Sequence, residues 1–222
     1  MGATGVKMGL MLTLAATVGI VAGASGMLLA SNDRIDSRIH DYILSHPEIL
    51  PEAMKRLEGR QTAQTIAQTR SAVETPFAGA WAGAQRGDVT VVMFTDYSCG
   101  YCRASVPDID RLLAEDKGVK LVWREIPILG ARSEAAAFIA LTAAQRGNYL
   151  AVHRALFASR APLPAPTDNP AITAELNRNL SLARALGITG TPSFVIGDQL
   201  MQGAVGYEKL KAAVAEARQA RL

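Results

Sequence analysis

An α/β domain preceded by a helical segment is the fold class that this 222-residue sequence predicts. Three observations predict it. The run Val89 to Phe94 (VTVVMF) is apolar and β-branched and leads straight into a helical pattern; Lys120 to Glu125 (KLVWRE) is a second such run; and the chain closes on a strand, turn, strand and helix from Ser193 to Arg218. With 49% apolar and 19% charged residues, the chain suits one folded domain with a substantial core and leaves no room for a second large one. A net charge of +3, small and scattered, gives no reason to expect nucleic acid as a partner.

Lys7 is followed by Met8 to Ala30 without a single charge. Such a segment reads either as a signal peptide, with Ala22 to Ala24 as the small-residue cleavage site, or as an uncleaved membrane anchor that Met27, Leu28 and Leu29 extend to spanning length. With Lys7 on the cytoplasmic side, both readings deliver the remainder to the oxidising periplasm, soluble or tethered through residues 8–30. From 31 to 74 the sequence is helical and polar. Ile35, Ile39 and Ile43 form one stripe, Leu50, Met54 and Leu57 another, and Ser45-His46-Pro47-Glu48 between them fits a capping box with Ser45 as N-cap. Beyond Leu57 the run EGRQTAQTIAQTRSAV is too polar to bury a wide face. Residues 31–74 are therefore expected to be a solvated stalk or a homo-oligomerisation segment, docking on the chain's own domain being the third alternative.

The domain itself is expected over 75–222. A Gly87-Asp88 turn introduces the first strand, after which Val106, Ile109, Leu112 and Leu113 repeat at helical spacing around Pro107, where a kink is expected. The second strand is followed by a helix from Ser133 to Arg146, stopped by Gly147, and by another from Tyr149 to Ala158. SRAPLPAPTDN is too rich in proline for regular structure, and Asn169-Pro170 supplies a cap and first residue for a helix reaching Leu186. Strands at Ser193 to Ile196 and Gln199 to Gln202 flank a Gly197-Asp198 turn, and Tyr207 to Arg218 is the last helix.

The two cysteines, Cys99 and Cys102, lie between the first strand and its helix in the stretch FTDYSCGYCRAS. A structural zinc site needs four protein ligands, and one cysteine pair with three scattered histidines (His40, His46, His153) does not offer them; the histidines read as surface or packing residues. A disulfide closing so short a loop is a poor staple. Copper(I) on two thiolates stays open. Redox exchange fits best: at a helix N-terminus Cys99 is favoured as a thiolate, and Cys102, one turn on, can release the mixed disulfide that Cys99 forms. Gly100 and Tyr101 between them tune the redox poise. No cofactor is expected beyond the redox-active disulfide Cys99–Cys102, and no resident metal. Thr191-Pro192, ahead of the third strand, is a candidate cis peptide bond.

Over Thr75 to Arg218 the sequence resembles the DsbA-like thiol-disulfide oxidoreductases of thioredoxin fold. VTVVMFTDYSCGYCR looks like the family's strand and active site, REIPILG like its second strand, and LARALGITGTPSFVIGD like its cis-proline loop. ILSHPEILPEAMKRLEGRQ is similar to the N-terminal segment of the suppressor-of-copper-sensitivity C proteins, some of which oligomerise through it. The resemblance implies a thioredoxin-like fold in which Cys99 is the nucleophile and Cys102 the resolving cysteine. Thr191-Pro192 then flanks the disulfide and offers backbone hydrogen bonds to substrate. It also implies cysteine-containing protein substrates and a membrane redox partner. Two departures stand out. Met93 occupies the position, six residues before the nucleophile, where many relatives carry a buried acid, so Glu125 or Asp96 is expected to serve as proton relay instead. The proline-rich Ala161 to Pro170 stands where relatives insert further helices, so the helical insertion is abbreviated. CGYC with Thr-Pro favours isomerase or reductase activity, disulfide oxidase being the alternative and copper(I) handling the non-enzymatic one.

Overall fold

A computed structural model describes residues 35–220; the leader expected over 8–30 lies outside the described residues. The chain divides into two compact units, one reaching to Leu57 and one running from Glu58 onward.

In the first unit, helix α1 covers 35–45 of the described residues, and helix α2 (Ile49–Glu74) begins within it. Ser45 does not cap α2. It ends α1, and its hydroxyl donates back to the carbonyls of Asp41 (2.7 Å) and Tyr42 (3.0 Å), while the turn through Pro47 and Glu48 delays α2 to Ile49. A serine hydroxyl so placed has a carbonyl one turn behind it as a partner, and that contact wins over the capping box. Ile35, Ile39, Tyr42, Leu44, Leu50, Met54 and Leu57 are all about half exposed or more.

The second unit is a five-stranded sheet between two helical layers. Strands β1 (Trp81–Gly83), β2 (Val89–Thr95), β3 (Val119–Glu125), β4 (Ser193–Ile196) and β5 (Gln199–Gln202) lie in the order β1-β3-β2-β4-β5. Only β2 and β3 run parallel, paired in register from Val89 with Val119 to Thr95 with Glu125. Every residue of β2 is buried, as a β-branched run between two neighbours and two helical layers should be. Gly197, at φ 58°, makes the two-residue β4–β5 turn, a conformation open to glycine at little cost.

Alternation along the strands divides the core. Val89, Val91 and Met93 of β2 with Val119, Leu121 and Trp123 of β3 face helices α3 (Gly100–Glu115), α4 (Ala131–Gln145), α5 (Tyr149–Ala158) and α7 (Tyr207–Gln219). Val92, Phe94 and Val122 face the other layer, made by Ile66 and Val73 of α2 and by Leu182 and Ala183 of helix α6 (Pro170–Ala185). The later part of α2 thus packs on the domain, the third of the alternatives for this segment. Arg70 pairs with Asp198 and donates to the Gly197 carbonyl at 3.1 Å. Buried Arg124 of β3 donates to the carbonyls of Ala72, Val73 and Thr75 and pairs with buried Glu175 at 2.6 Å. Residues 159–169 carry no regular structure, and Asn169 caps α6 by accepting from the Ile172 N–H at 3.3 Å with Pro170 in the first turn.

Candidate active site

The strand β2 ends at Thr95, and Asp96 turns the chain. Its Oδ1 accepts from the Ser98 N–H (2.7 Å) and the Ser133 hydroxyl (2.7 Å), its Oδ2 from the N–H groups of Ile128 (2.9 Å) and Leu129 (3.2 Å). With four donors the carboxylate is fully committed to holding the loops after β2 and β3 together. That turn delivers Cys99 to the N-cap of α3, where its Sγ accepts from the Cys102 N–H at 3.4 Å. Pro107, inside α3, leaves the Arg103 carbonyl without its usual helical donor.

Both cysteines are free thiols. Cys99 keeps 8% of its surface exposed while Cys102 keeps none, so only Cys99 can be reached from outside. The Cys99 thiol donates to the Thr191 carbonyl at 3.2 Å, and the Thr191-Pro192 peptide is cis. Burial pushes the Cys102 thiol up to about 12; the Thr191 side chain, the Asp96 backbone and the Thr95 side chain pull the other way, and Cys99 adds to the rise. Gly100 and Tyr101 open α3 beside the thiols, Tyr101 being 71% exposed. Ile128 and Leu129 are the other large apolar side chains exposed at this end of the sheet. Cys99, Cys102, Thr191 and Pro192, widely separated in sequence, therefore meet at one end of β2.

Glu125 ends β3 and is fully buried. Its Oε1 accepts from Tyr97 Oη at 2.9 Å and from Tyr149 Oη. Both phenols also reach His153 Nδ1, at 2.8 and 3.1 Å. Burial raises Glu125 to about 8; the hydroxyls of Tyr149 and Tyr97 lower it, and Asp96 raises it further. Burial drives His153 the other way, to about 3, so its ring is neutral and accepts or donates according to tautomer. Both phenols are pushed well above their ordinary range, by burial first and then by Glu125. The Tyr97–Tyr149–His153 part of this cluster was not visible from sequence. Its one local signal is the spacing of Tyr149 and His153, four apart on a helix.

Among the described residues no group of three or more metal-ligating side chains is assembled, and no helix is long and apolar enough to cross a membrane.

Comparison with known proteins agrees with this geometry. The family model described as Thioredoxin matches residues 77–216, and that of the copper resistance protein ScsC N-terminal domain matches residues 32–64. The chain is similar to a periplasmic thioredoxin-like protein of Salmonella enterica serovar Typhimurium, with 30% identity and a TM-score of 0.63, covering 68% of this chain and 97% of that one. It is similar to a variant of Proteus mirabilis ScsC, with 27% identity and a TM-score of 0.69 over 87% of this chain and 97% of that one. A third structure is the thiol-disulfide exchange protein alpha-DsbA2 of Wolbachia pipientis, with 26% identity and a TM-score of 0.60 over 71% and 96% of the two chains. A curated relative, the Na(+)/H(+) antiporter NhaA 3 of Salinispora tropica, is 28% identical over 61% of this chain. The chain spans about a quarter of the length of the curated relatives it matches.

Proposed function

The chain belongs to the thioredoxin family, as a thiol-disulfide oxidoreductase akin to ScsC and DsbA-like proteins, and from that premise we propose that it works reductively in the periplasm, as a disulfide isomerase or reductase of cysteine-containing proteins. The observation that carries the chemistry is the difference in access between the two thiols at the cis Thr191-Pro192 bond. Cys99 Sγ attacks a substrate disulfide, forming a mixed disulfide and expelling one substrate thiolate. Cys102 Sγ then loses its proton and attacks Cys99 Sγ; the Cys99–Cys102 disulfide forms, and the second substrate thiolate leaves. The substrate is reduced and the cysteine pair oxidised, no other cofactor being involved. In isomerisation a different substrate thiol displaces Cys99 before Cys102 acts. Gly100 and Tyr101 set the redox poise by shaping the turn between the two thiols.

Glu125 is the better acceptor for the Cys102 proton. Asp96 has no free lone pair, whereas Glu125 has one oxygen without a partner, lies on the strand beside the cysteines, and substitutes for the acid that Met93 lacks. The reductive direction is supported by the N-terminal match to the ScsC segment and by the exposed apolar residues of the first unit, which suit association with further copies of the chain so that several active sites act together. A membrane reductase would keep the pair reduced. An oxidase working with a membrane oxidant is the second reading, since the thiol-disulfide exchange named for alpha-DsbA2 runs in either direction.

Alkylation trapping of Cys99 and Cys102 in cells separates the two. A mostly reduced pool is expected; a mostly oxidised pool rejects the reductive reading. Cys99→Ala should abolish reduction of protein disulfides, and Cys102→Ala should accumulate mixed disulfides with client proteins.

A further inference from the structure

Two buried oxygens at the adjoining ends of β2 and β3 are left without a hydrogen-bond partner: Oγ1 of Thr95 and Oε2 of Glu125. They belong to residues that face each other in the parallel register of β2 and β3. Neighbouring strands lie about 4.8 Å apart, and side chains in register share a face. Val91 and Met93 of β2 and Leu121 and Trp123 of β3 all join the core that holds Cys102, and the same alternation puts Thr95 and Glu125 on that face. The Thr95 side chain favours the ionised form of Cys102, while its hydroxyl makes no hydrogen bond.

We propose that the Thr95 hydroxyl relays the Cys102 proton to Oε2 of Glu125, whose other oxygen is held by Tyr97 and Tyr149. The proposal rests on the reading of Glu125 as acceptor. As Cys102 Sγ attacks Cys99 Sγ, its proton passes to Thr95 Oγ1, and the hydroxyl's own proton passes to Glu125 Oε2. The threonine is unchanged, the carboxylate becomes a carboxyl, and the electron pair freed at Cys102 Sγ forms the new disulfide as the bond from Cys99 Sγ to the substrate sulfur breaks and the substrate thiolate leaves. Thr95 suits this because a hydroxyl donates and accepts at once. Oε1 already takes two phenolic donors, so the proton goes to Oε2. The titratable groups that act on Glu125 are Asp96 and Tyr97 from the turn after β2 and Tyr149 from α5; His153 of α5 is reached through the two phenols, and Cys102 of α3 belongs to the core on the same face of the sheet. Arg124, the preceding residue of β3, points to the opposite layer, toward Glu175.

The experiment mixes the reduced full-length protein with an aromatic disulfide, dithionitrobenzoate, in a stopped-flow instrument. The first aromatic thiolate reports attack by Cys99, the second attack by Cys102. In the wild type the second phase should accelerate as pH rises through about 8, because only the ionised carboxylate can accept. Thr95→Val should slow that phase roughly tenfold or more at neutral pH and remove the inflection, leaving the first phase within about twofold; Thr95→Ser should restore both. Rate and inflection retained in Thr95→Val but lost in Glu125→Gln would overturn the relay and leave Glu125 as acceptor by a direct route. Retention in Glu125→Gln would overturn the underlying reading, whatever Thr95→Val does. If Thr95→Val does not fold, the wild-type second phase in mixtures of light and heavy water decides: two transferring protons give a curved dependence, and a linear one rejects the relay.

Discussion

Burial makes Glu125 keep a proton that the unfolded chain gives up. Its ordinary value is 4.5 and its folded one about 8, so between these limits the folded state binds more protons than the unfolded state. Stability then falls as pH rises from about 4.5 to about 8, with no contribution from this group below that window. Three and a half pH units correspond to at most about 5 kcal/mol. Glu125→Gln keeps the shape and an acceptor without the ionisation, so its denaturant midpoint should fall less over the same pH range than that of the wild type. A second residue follows from the same cluster. The Tyr149 and Tyr97 hydroxyls lower the Glu125 value, so Tyr149→Phe should move the inflection in Cys102 reactivity above pH 8, read from the pH profile of the second stopped-flow phase. Glu125 was legible in the sequence as a candidate acid, because Met93 cannot take a proton and Glu125 closes the neighbouring strand. Its surroundings were not. A lone histidine on a helix reads as packing, and only the fold brings Tyr97 and Tyr149 onto one carboxylate with His153 bonded to both phenols.

At the scale of elements, the sheet and the helices around it were legible from periodicity and caps, down to Asn169 at the start of α6. The three-residue β1 was not, since Trp81 to Gly83 is too short to show alternation. The docking of the later turns of α2 is hard to read from sequence for a different reason: their fastening is polar. Ile66 and Val73 are the only fully buried apolar side chains that α2 contributes, and the remaining grip comes from Arg70 and Arg124, whose partners lie far away in sequence. A chain starting at Glu58 should therefore unfold at nearly the same denaturant concentration as one starting at residue 31. A chain starting at Thr75 should be weaker by about 4 kcal/mol from the lost burial of Ile66 and Val73 alone. Equal stability of all three would reject the docked α2. Arg124→Leu should cost about 3–5 kcal/mol, because Glu175 stays buried with its 2.6 Å partner removed, and thermal or denaturant melting reads that loss.

For the whole molecule, the question is what covers the first unit. Ile35, Ile39, Tyr42, Leu44, Leu50, Met54 and Leu57 expose about half or more of their surface on α1 and the first turns of α2, where the remaining positions are largely polar. In proteins most helical stability comes from packing an apolar face. Another copy of the chain offers the same stripe in return, and self-complementarity is what a symmetric assembly requires. Association matters for the chemistry because several cysteine pairs around one client raise the local concentration of attacking thiolates at its wrong disulfides. We expect residues 31–222 to sediment as an oligomer and residues 58–222 as a monomer. Isomerisation of a scrambled protein should fall roughly tenfold in the shorter chain, through the lost effective concentration of neighbouring sites. Reduction of a small disulfide, which needs one Cys99 at a time, should stay within about twofold. A monomeric longer chain would remove the main support for isomerisation and leave a reductase acting one site at a time, whereas equal isomerase activity in both chains would show that isomerisation does not need association.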